Sequence, residues 1–213
     1  MNQLLQLVGE DKAASVMAKV SKCREGDDVL IWKPNSQGTF FSKSAWDMIR
    51  VWQPQTCWGR WVWHSTLLKK MSVIMWKAFS KALSVDSRVR QMGVALASRC
   101  DCCLTGNEET PNHVLSTGEV ANEVWRKVSV ALGIRWRSKQ NWYDRVNSWW
   151  AIAGKKSQVG YLQGLLPTIL TRRLWMRRCK ARMEGVHETV EQIFRSIKFW
   201  LQHVSSNLKN VKI

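Results

Sequence analysis

Two cysteines and a histidine stand at the spacing of a metal site near the middle of this 213-residue chain. Cys100 and Cys103 form a C-x-x-C knuckle, and His113 follows ten residues later. Zinc prefers thiolate and imidazole ligands, and a knuckle with distant partners is typical of structural zinc sites. Such a site takes four protein ligands, and only three fall on the expected spacing. The pattern therefore predicts a small Cys/His module that is one ligand short.

Helices are predicted on both sides of this loop, which covers residues 99–112. Apolar side chains repeat with a 3.6-residue period over residues 67–83, and helical character returns over residues 113–132. Glu108 and Glu109 lie in the loop, where we expect them to be solvated. The predicted helices would hold the cysteine knuckle and His113 on opposite ends of one short loop.

The N-terminal part predicts a helix, a hairpin and a second helix. Residues 3–20 have an amphipathic pattern, and the turn residues 34–38 separate Val29–Lys33 from Thr39–Phe41. Two such segments around a turn are typical of a β-hairpin. The predicted fold is therefore mostly α: a helical domain with a short N-terminal β-hairpin and a Cys/His knuckle loop, followed by a basic helical extension.

The net charge of +17 is concentrated in the last third of the chain. Residues 126–213 hold 18 Lys and Arg against 4 Asp and Glu, a balance of +14, whereas residues 1–125 contribute +3. Such a field attracts phosphate backbones. A helix beginning near Pro167 carries the cations that we predict to bind RNA or DNA without a sequence code: Arg172, Arg173, Arg177, Arg178, Lys180 and Arg182. A basic amphipathic helix is also compatible with a protein partner or an anionic membrane surface.

A last helix is predicted over residues 186–204, because its apolar residues form one stripe. The stripe consists of Val186, Val190, Ile193, Ile197, Trp200 and Val204. The fourteen tryptophans of the chain are expected to lie mainly in the core. Neither a secretory signal nor a membrane span is recognisable, which predicts an intracellular protein of the nucleus or cytoplasm with reduced thiols.

The motifs of residues 28–125 follow one another in the order of a known family. The matching stretches are DDVLIWKPNSQGTFFSKSAW, WVWHSTLLKKMSVIMWKAFSKALSVDSRVRQMGV, and RCDCC with EETPNHVL and ANEVW. They resemble the zinc-binding domain that follows the reverse transcriptase in plant non-LTR (LINE-type) retrotransposons. The segment LWMRRCKARMEG resembles the linker that leads toward an RNase H domain. The resemblance implies a reverse transcriptase zinc-binding-like domain at 1–132 and a Trp-rich basic extension at 133–213.

The family pattern carries metal ligands onto Cys100, Cys103, His113 and position 118. Position 118 is glycine here, and glycine has no side chain that could bind metal. Three outcomes stay open: Cys102 replaces the missing ligand, water fills the position and leaves a weak site, or no zinc is bound. We expect weak or absent zinc binding rather than tight binding.

Catalytic groups of the flanking retroelement enzymes are not recognisable in the sequence. Reverse transcription and RNase H cleavage both need several carboxylates that converge on metal ions. After residue 125 the chain has only Asp144, Glu184, Glu188 and Glu191. The sequence therefore predicts a non-catalytic nucleic-acid-binding module without a small-molecule substrate. The alternative is a structural remnant of a retroelement polyprotein that has no function of its own.

Overall fold

The computed structural model describes residues 9–22, 30–51, 56, 58–103, 105–154 and 157–208. These residues form helices, turns and loops, and no strand occurs among them. The chain divides into two compact units, residues 1–54 and residues 55–213. The mostly helical fold predicted from the sequence is confirmed. None of the helices in the described ranges is long and apolar enough to cross a membrane.

The first unit contains two helices, α1 (Glu10–Val20) and α2 (Ser42–Ile49). Helix α1 confirms the C-terminal part of the helix predicted over residues 3–20, and residues 3–8 lie outside the described residues. Acidic residues occupy the first turn of α1 and Lys19 its last turn, an order that favours the helix dipole.

The β-hairpin predicted between these helices is wrong for residues 30–41, and Val29 lies outside the described residues. The expected turn forms, since the Trp32 backbone N–H donates to the Gly38 carbonyl at 2.8 Å. No ladder extends from this bond, because two short arms without a third strand gain little stability. The Trp32 ring nitrogen donates instead to the Ser44 hydroxyl of α2 at 2.8 Å.

The second unit is built from seven α-helices and one π-helical turn among its described residues. In chain order they are α3 (Gly59–Val62), α4 (Lys69–Phe79), α5 (Asp86–Gln91), the π-turn (His113–Thr117), α6 (Glu119–Ala131), α7 (Trp142–Ile152), α8 (Gln158–Glu184) and α9 (Val190–Leu208).

Helix α8 lies at the centre of this unit and packs against α3, α4, α7, α9 and the π-turn. A helix that is surrounded in this way needs apolar residues on all its faces rather than on one stripe. Its fully buried apolar residues include Leu165, Leu166, Ile169, Leu170 and Leu174. The Ser157 hydroxyl accepts the Gly160 N–H at the first turn, and Gly185 ends the helix in the left-handed conformation.

Pro167 lies inside α8, although the sequence places it near a helix start. An interior proline removes one backbone hydrogen bond and is therefore a poor helix residue. Burial of its neighbours supplies the compensation, because residues 164–171 are all buried. Because of this tertiary packing, α8 begins at Gln158, nine residues before the proline that the sequence places near the helix start.

Helix α9 confirms most of the predicted apolar stripe. Ile193, Ile197 and Val204 are buried, and Val190 and Trp200 pack against the core, whereas Val186 precedes the helix and is exposed. The same core continues from Trp61 in α3 to Val204 in α9 and includes residues on both sides of position 132. The domain boundary at residue 132 stays a prediction from the sequence.

Candidate metal centre

The cysteine knuckle is held by hydrogen bonds within its own loop. The Cys100 backbone N–H donates to the Asn107 carbonyl at 2.8 Å, which closes the loop. The Cys102 N–H donates to the Cys100 sulfur at 3.4 Å, and the Thr105 hydroxyl donates to the Cys103 sulfur at 3.4 Å. These bonds hold the two sulfur atoms in place within the loop. Both thiols of the knuckle are therefore turned toward one point.

His113 reaches that point from the first residue of the π-turn. The Thr110 hydroxyl accepts the His113 backbone N–H at 3.1 Å, which starts the helical segment directly after the loop. The Gly118 N–H then donates to the His113 carbonyl at 2.8 Å, five residues back. This wider turn is rare and is frequently found at functional sites. It places the imidazole Nε2 3.3 Å from the Cys103 sulfur.

The ligand atoms of Cys100, Cys103 and His113 all lie within 4.8 Å of one another. Tetrahedral zinc with Zn–S bonds of about 2.3 Å and Zn–N bonds of about 2.0 Å needs ligand atoms roughly 3.5 to 4 Å apart. The three donors therefore fit one zinc ion with small adjustments. They form a possible metal-binding group, and the predicted trio is brought together by the fold.

Position 118 lies beside this group, as the family pattern implies. A Cβ atom built on Gly118 would lie 3.3 Å from His113 Nε2 but only 2.4 Å from the His113 carbonyl oxygen. The direction is suitable for a fourth ligand, whereas the backbone of the π-turn leaves no room for a side chain. Glycine thus suits this turn, and a cavity whose lining includes His113, Thr117 and Glu119 lies next to it.

Cys102 is buried and is not part of the metal-binding group. Its side chain forms a hydrogen bond with the Cys100 thiol, which raises the pKa of Cys100 to about 12 together with burial. The same hydrogen bond, followed by the charge of Arg177, lowers the pKa of Cys102 against the opposing effect of burial. Cys102 therefore lies on the side of the knuckle that faces α8, rather than beside His113.

Arginines of α8 hold the knuckle loop from this side. Arg178 donates to both carboxylate oxygens of Glu109 at 2.7 to 3.2 Å, and Arg177 donates to the Cys102 carbonyl at 2.6 Å. The Glu109 side chain is 0% exposed, so the expectation of a solvated residue is wrong. Glu108 is exposed as expected and pairs with Arg90. A buried charge needs its partner nearby, and only the fold supplies Arg178.

The six cations predicted to contact nucleic acid are mostly engaged inside the protein. Arg177 and Arg178 are each 7% exposed, which corrects the expectation that both flanks of this helix meet phosphates. Arg173 and Lys180 bind Glu188, and Arg182 binds Asp86 at 2.6 Å. Arg172 is half-buried, and no carboxylate among the described residues pairs with it. On the apolar side of the helix Ile169 and Trp175 are buried as well, whereas Met183 is exposed.

Arg145 is the buried charge that the sequence does not single out. Its guanidinium donates to the Ser116 hydroxyl at 2.7 Å and lies 4.4 Å from the centre of the Trp136 ring. Burial lowers the pKa of Arg145 to about 10, which leaves it protonated at neutral pH. A single arginine in a Trp-rich segment carries no local signal, because its side-chain partners Ser116 and Asn122 are 29 and 23 residues away.

Residues 40–125 match a family model described as zinc-binding in reverse transcriptase. The matched segment, which is less than half of the chain, contains the three ligands and Gly118. This family region binds zinc and is not the catalytic part of reverse transcriptase. No curated protein and no solved structure matches the chain.

Proposed function

We propose that this chain is a non-catalytic, retrotransposon-derived module of the non-LTR (LINE) type that binds zinc weakly and contacts nucleic acid. The observation that carries the proposal is the convergence of Cys100, Cys103 and His113 within the segment that matches the zinc-binding family model. Two thiolates and one imidazole form a ligand set that zinc prefers. An intracellular location with reduced thiols follows from the same ligand chemistry.

Zinc in this site would join the knuckle to the start of the π-turn. Binding free energy at a structural site is folding free energy, because the unfolded chain has no preformed site. Three protein ligands supply less binding free energy than four. Water or another small ligand would complete the coordination of the zinc ion. The contacts of Arg177 and Arg178 hold the loop in addition to the metal. We therefore expect the fold to persist without zinc.

Metal titration of single-residue variants tests the zinc proposal. Cobalt(II) replaces zinc and gives absorption bands that depend on thiolate ligands, so wild-type protein should bind one ion with such bands. Cys100→Ser, Cys103→Ser and His113→Gln should each weaken binding by at least tenfold. Cys179→Ser is the control, since this thiol lies on α8 outside the metal-binding group. A wild-type protein without thiolate bands, or unchanged affinity in the Cys103 variant, contradicts the proposal.

Nucleic-acid contact is supported by the charge of the chain. The net charge is +17, and exposed cations remain on the second unit after the internal pairs are formed, including Lys69, Lys70, Arg135, Arg137 and Arg195. Charge of this size attracts phosphate backbones without a base-specific code. We expect RNA and DNA to bind with similar affinity and with a steep dependence on salt.

Fluorescence anisotropy with labelled single-stranded RNA and DNA of equal length tests this part. Binding should weaken steadily as salt increases, and the zinc-ligand variants should bind almost as tightly as the wild-type protein. A structural remnant without function is the second candidate, favoured by Gly118 at the fourth ligand position and by the internal pairing of the α8 cations. Absence of binding at low salt favours the remnant over the binding module.

A further inference from the structure

A cavity of about 240 Å³ lies between the end of α6, the loop that follows it and α7. Its lining includes three arginines, Arg135, Arg137 and Arg145, and two tryptophans, Trp136 and Trp149. None of the lining residues carries a carboxylate. The cavity therefore combines a strong positive charge with aromatic walls, and it lies apart from the metal-binding group.

Arg145 gives this cavity a permanent charge without a counter-ion. Its side chain is 2% exposed, and its Nε and Nη2 atoms donate only to neutral acceptors, the Ser116 hydroxyl, the Asn122 side chain and the Gln140 carbonyl. No carboxylate within the described ranges forms an ion pair with it. A buried cation without an anion is unfavourable, and proteins pair such charges or bring in a ligand.

The comparison with Arg178 shows how unusual this arrangement is. Arg178 is buried to a similar degree, but it donates to both oxygens of the Glu109 carboxylate. Arg145 has no such partner, and it lines the cavity together with Arg135 and Arg137. Arg135 and Arg137 are exposed, and neither forms an ion pair with any residue that the structure describes. The three arginines that line the cavity therefore have no carboxylate partner among the described residues.

We propose that this cavity binds a phosphate group through Arg135, Arg137 and Arg145. The planar guanidinium group matches the oxygens of a phosphate, and several such groups around one cavity favour a doubly charged anion over chloride. Trp136, which already covers the Arg145 guanidinium, borders the cavity with an aromatic surface suited to a base or sugar next to the phosphate. The nucleic-acid source of this phosphate rests on the proposed function.

The test uses the full chain and two double variants of equal charge change. Arg135→Gln with Arg137→Gln removes the two exposed cations of the cavity and leaves Arg145 in place. Lys69→Gln with Lys70→Gln removes two exposed cations of α4 and is the control. Arg145 itself is not substituted, because its loss would also remove three internal hydrogen bonds. Circular dichroism verifies that both variants keep the wild-type helix content.

The first arm measures inorganic phosphate by its effect on the melting temperature at constant ionic strength. Phosphate should raise the melting temperature of the wild-type protein and the lysine variant more than chloride does, and this difference should disappear in the arginine variant. The second arm measures a labelled single-stranded oligonucleotide. The arginine variant should bind about fivefold to tenfold more weakly than the lysine variant, and the loss of one phosphate contact should reduce the salt slope by about 0.7.

The two arms separate the cavity from the wider proposal. If oligonucleotide binds but both double variants respond equally in both arms, the phosphate site is overturned and nucleic-acid contact stands. If phosphate raises the melting temperature through Arg135 and Arg137 but no oligonucleotide binds, the cavity is a site for free phosphate. The nucleic-acid proposal then fails. A phosphate effect that is absent from the wild-type protein, together with equal oligonucleotide affinities, overturns the site.

Discussion

Arg178 and Glu109 are 69 residues apart in the chain and form a buried ion pair, with 2.7 Å between Nη2 and Oε1. Arg178 also donates to the Ser84 carbonyl at 3.0 Å, and Glu109 accepts the Asp86 backbone N–H at 3.2 Å. The pair therefore joins the central helix α8 to the knuckle loop and to the start of α5. Together with the contact of Arg177 with the Cys102 carbonyl, the pair connects α8 to the loop that holds the candidate metal centre.

Removal of the Glu109 carboxylate is expected to destabilise the second unit strongly. Glu109→Gln leaves Arg178 buried without an anion, and loss of one partner of a buried pair costs about 3–5 kcal/mol. The free energy of unfolding, measured by denaturant titration and circular dichroism, gives the effect. Glu108→Gln is the matched control, because its pair with Arg90 is exposed and should contribute at most about 1 kcal/mol. Equal effects of the two substitutions would contradict the structural importance of the pair.

Introduction of a thiol at position 118 is expected to strengthen zinc binding at a cost in stability. A Cβ atom there would face His113 Nε2 but crowd the His113 carbonyl, so the π-turn must shift. Gly118→Cys should bind zinc at least tenfold more tightly in competition with a chelator. Without metal it should be about 1–3 kcal/mol less stable, as for other overpacked sites. Gly118→Ala should show the same destabilisation without any gain in affinity. A cysteine variant with wild-type affinity would show that the position does not face the metal.

Acid is expected to weaken the junction between α8 and α9 through Glu188. The hydrogen bond from Arg173 lowers the pKa of Glu188 below 4.5, with further contributions from Lys180. A carboxyl group with a lowered folded-state pKa contributes stability above its unfolded pKa, and this stability is lost as the pH falls through the folded value. Unfolding free energy should therefore decrease below about pH 4.5.

The matching variant is Glu188→Gln, which removes the titrating group. Its unfolding free energy should be lower by about 1–3 kcal/mol at pH 7, as for hydrogen bonds to charged groups. Its decline between pH 5 and pH 3 should be shallower than that of the wild-type protein. Glu123→Gln provides a comparison, because Glu123 pairs with Arg126 on the surface of α6. Parallel pH profiles for wild type and the Glu188 variant would refute the assigned role.

An alanine at position 164 is expected to disrupt the packing of α3 against α8. A Cβ atom on Gly164 would lie 2.4 Å from two carbons of the buried Trp61 ring. Gly164→Ala should lower the melting temperature and cost about 1–3 kcal/mol, although alanine is the better helix residue. Gly154→Ala is the control, since a Cβ atom there meets nothing within 4 Å. The close approach would be refuted by a Gly164 variant that is as stable as the Gly154 variant.

Several features of this protein follow from the sequence alone because their signals are local. The apolar period of residues 67–83 and the stripe of α9 predict helices, since each pattern needs only one buried face. The spacing of Cys100, Cys103 and His113 predicts a metal-binding group, since one short loop determines their separation. The glycine at position 118, where the resemblance to a known family implies a fourth ligand, is also visible in the sequence.

Other features are decided only by the tertiary structure, because they depend on partners far away in the chain. Pro167 is tolerated inside α8 because neighbouring helices bury it, and the predicted hairpin fails because no third strand supports it. The sequence predicts that the cations of the basic helix form a phosphate-binding surface. In the fold, Glu109, Asp86 and Glu188 lie beside these cations and pair with them. Whether a charged side chain pairs inside the protein or binds a ligand depends on the groups around it. Sequence spacing does not reveal which opposite charge the fold places beside it. The sequence therefore predicts solvent-facing positive charge on α8. In the fold, the exposed positive charge lies on other residues, among them Arg135 and Arg137.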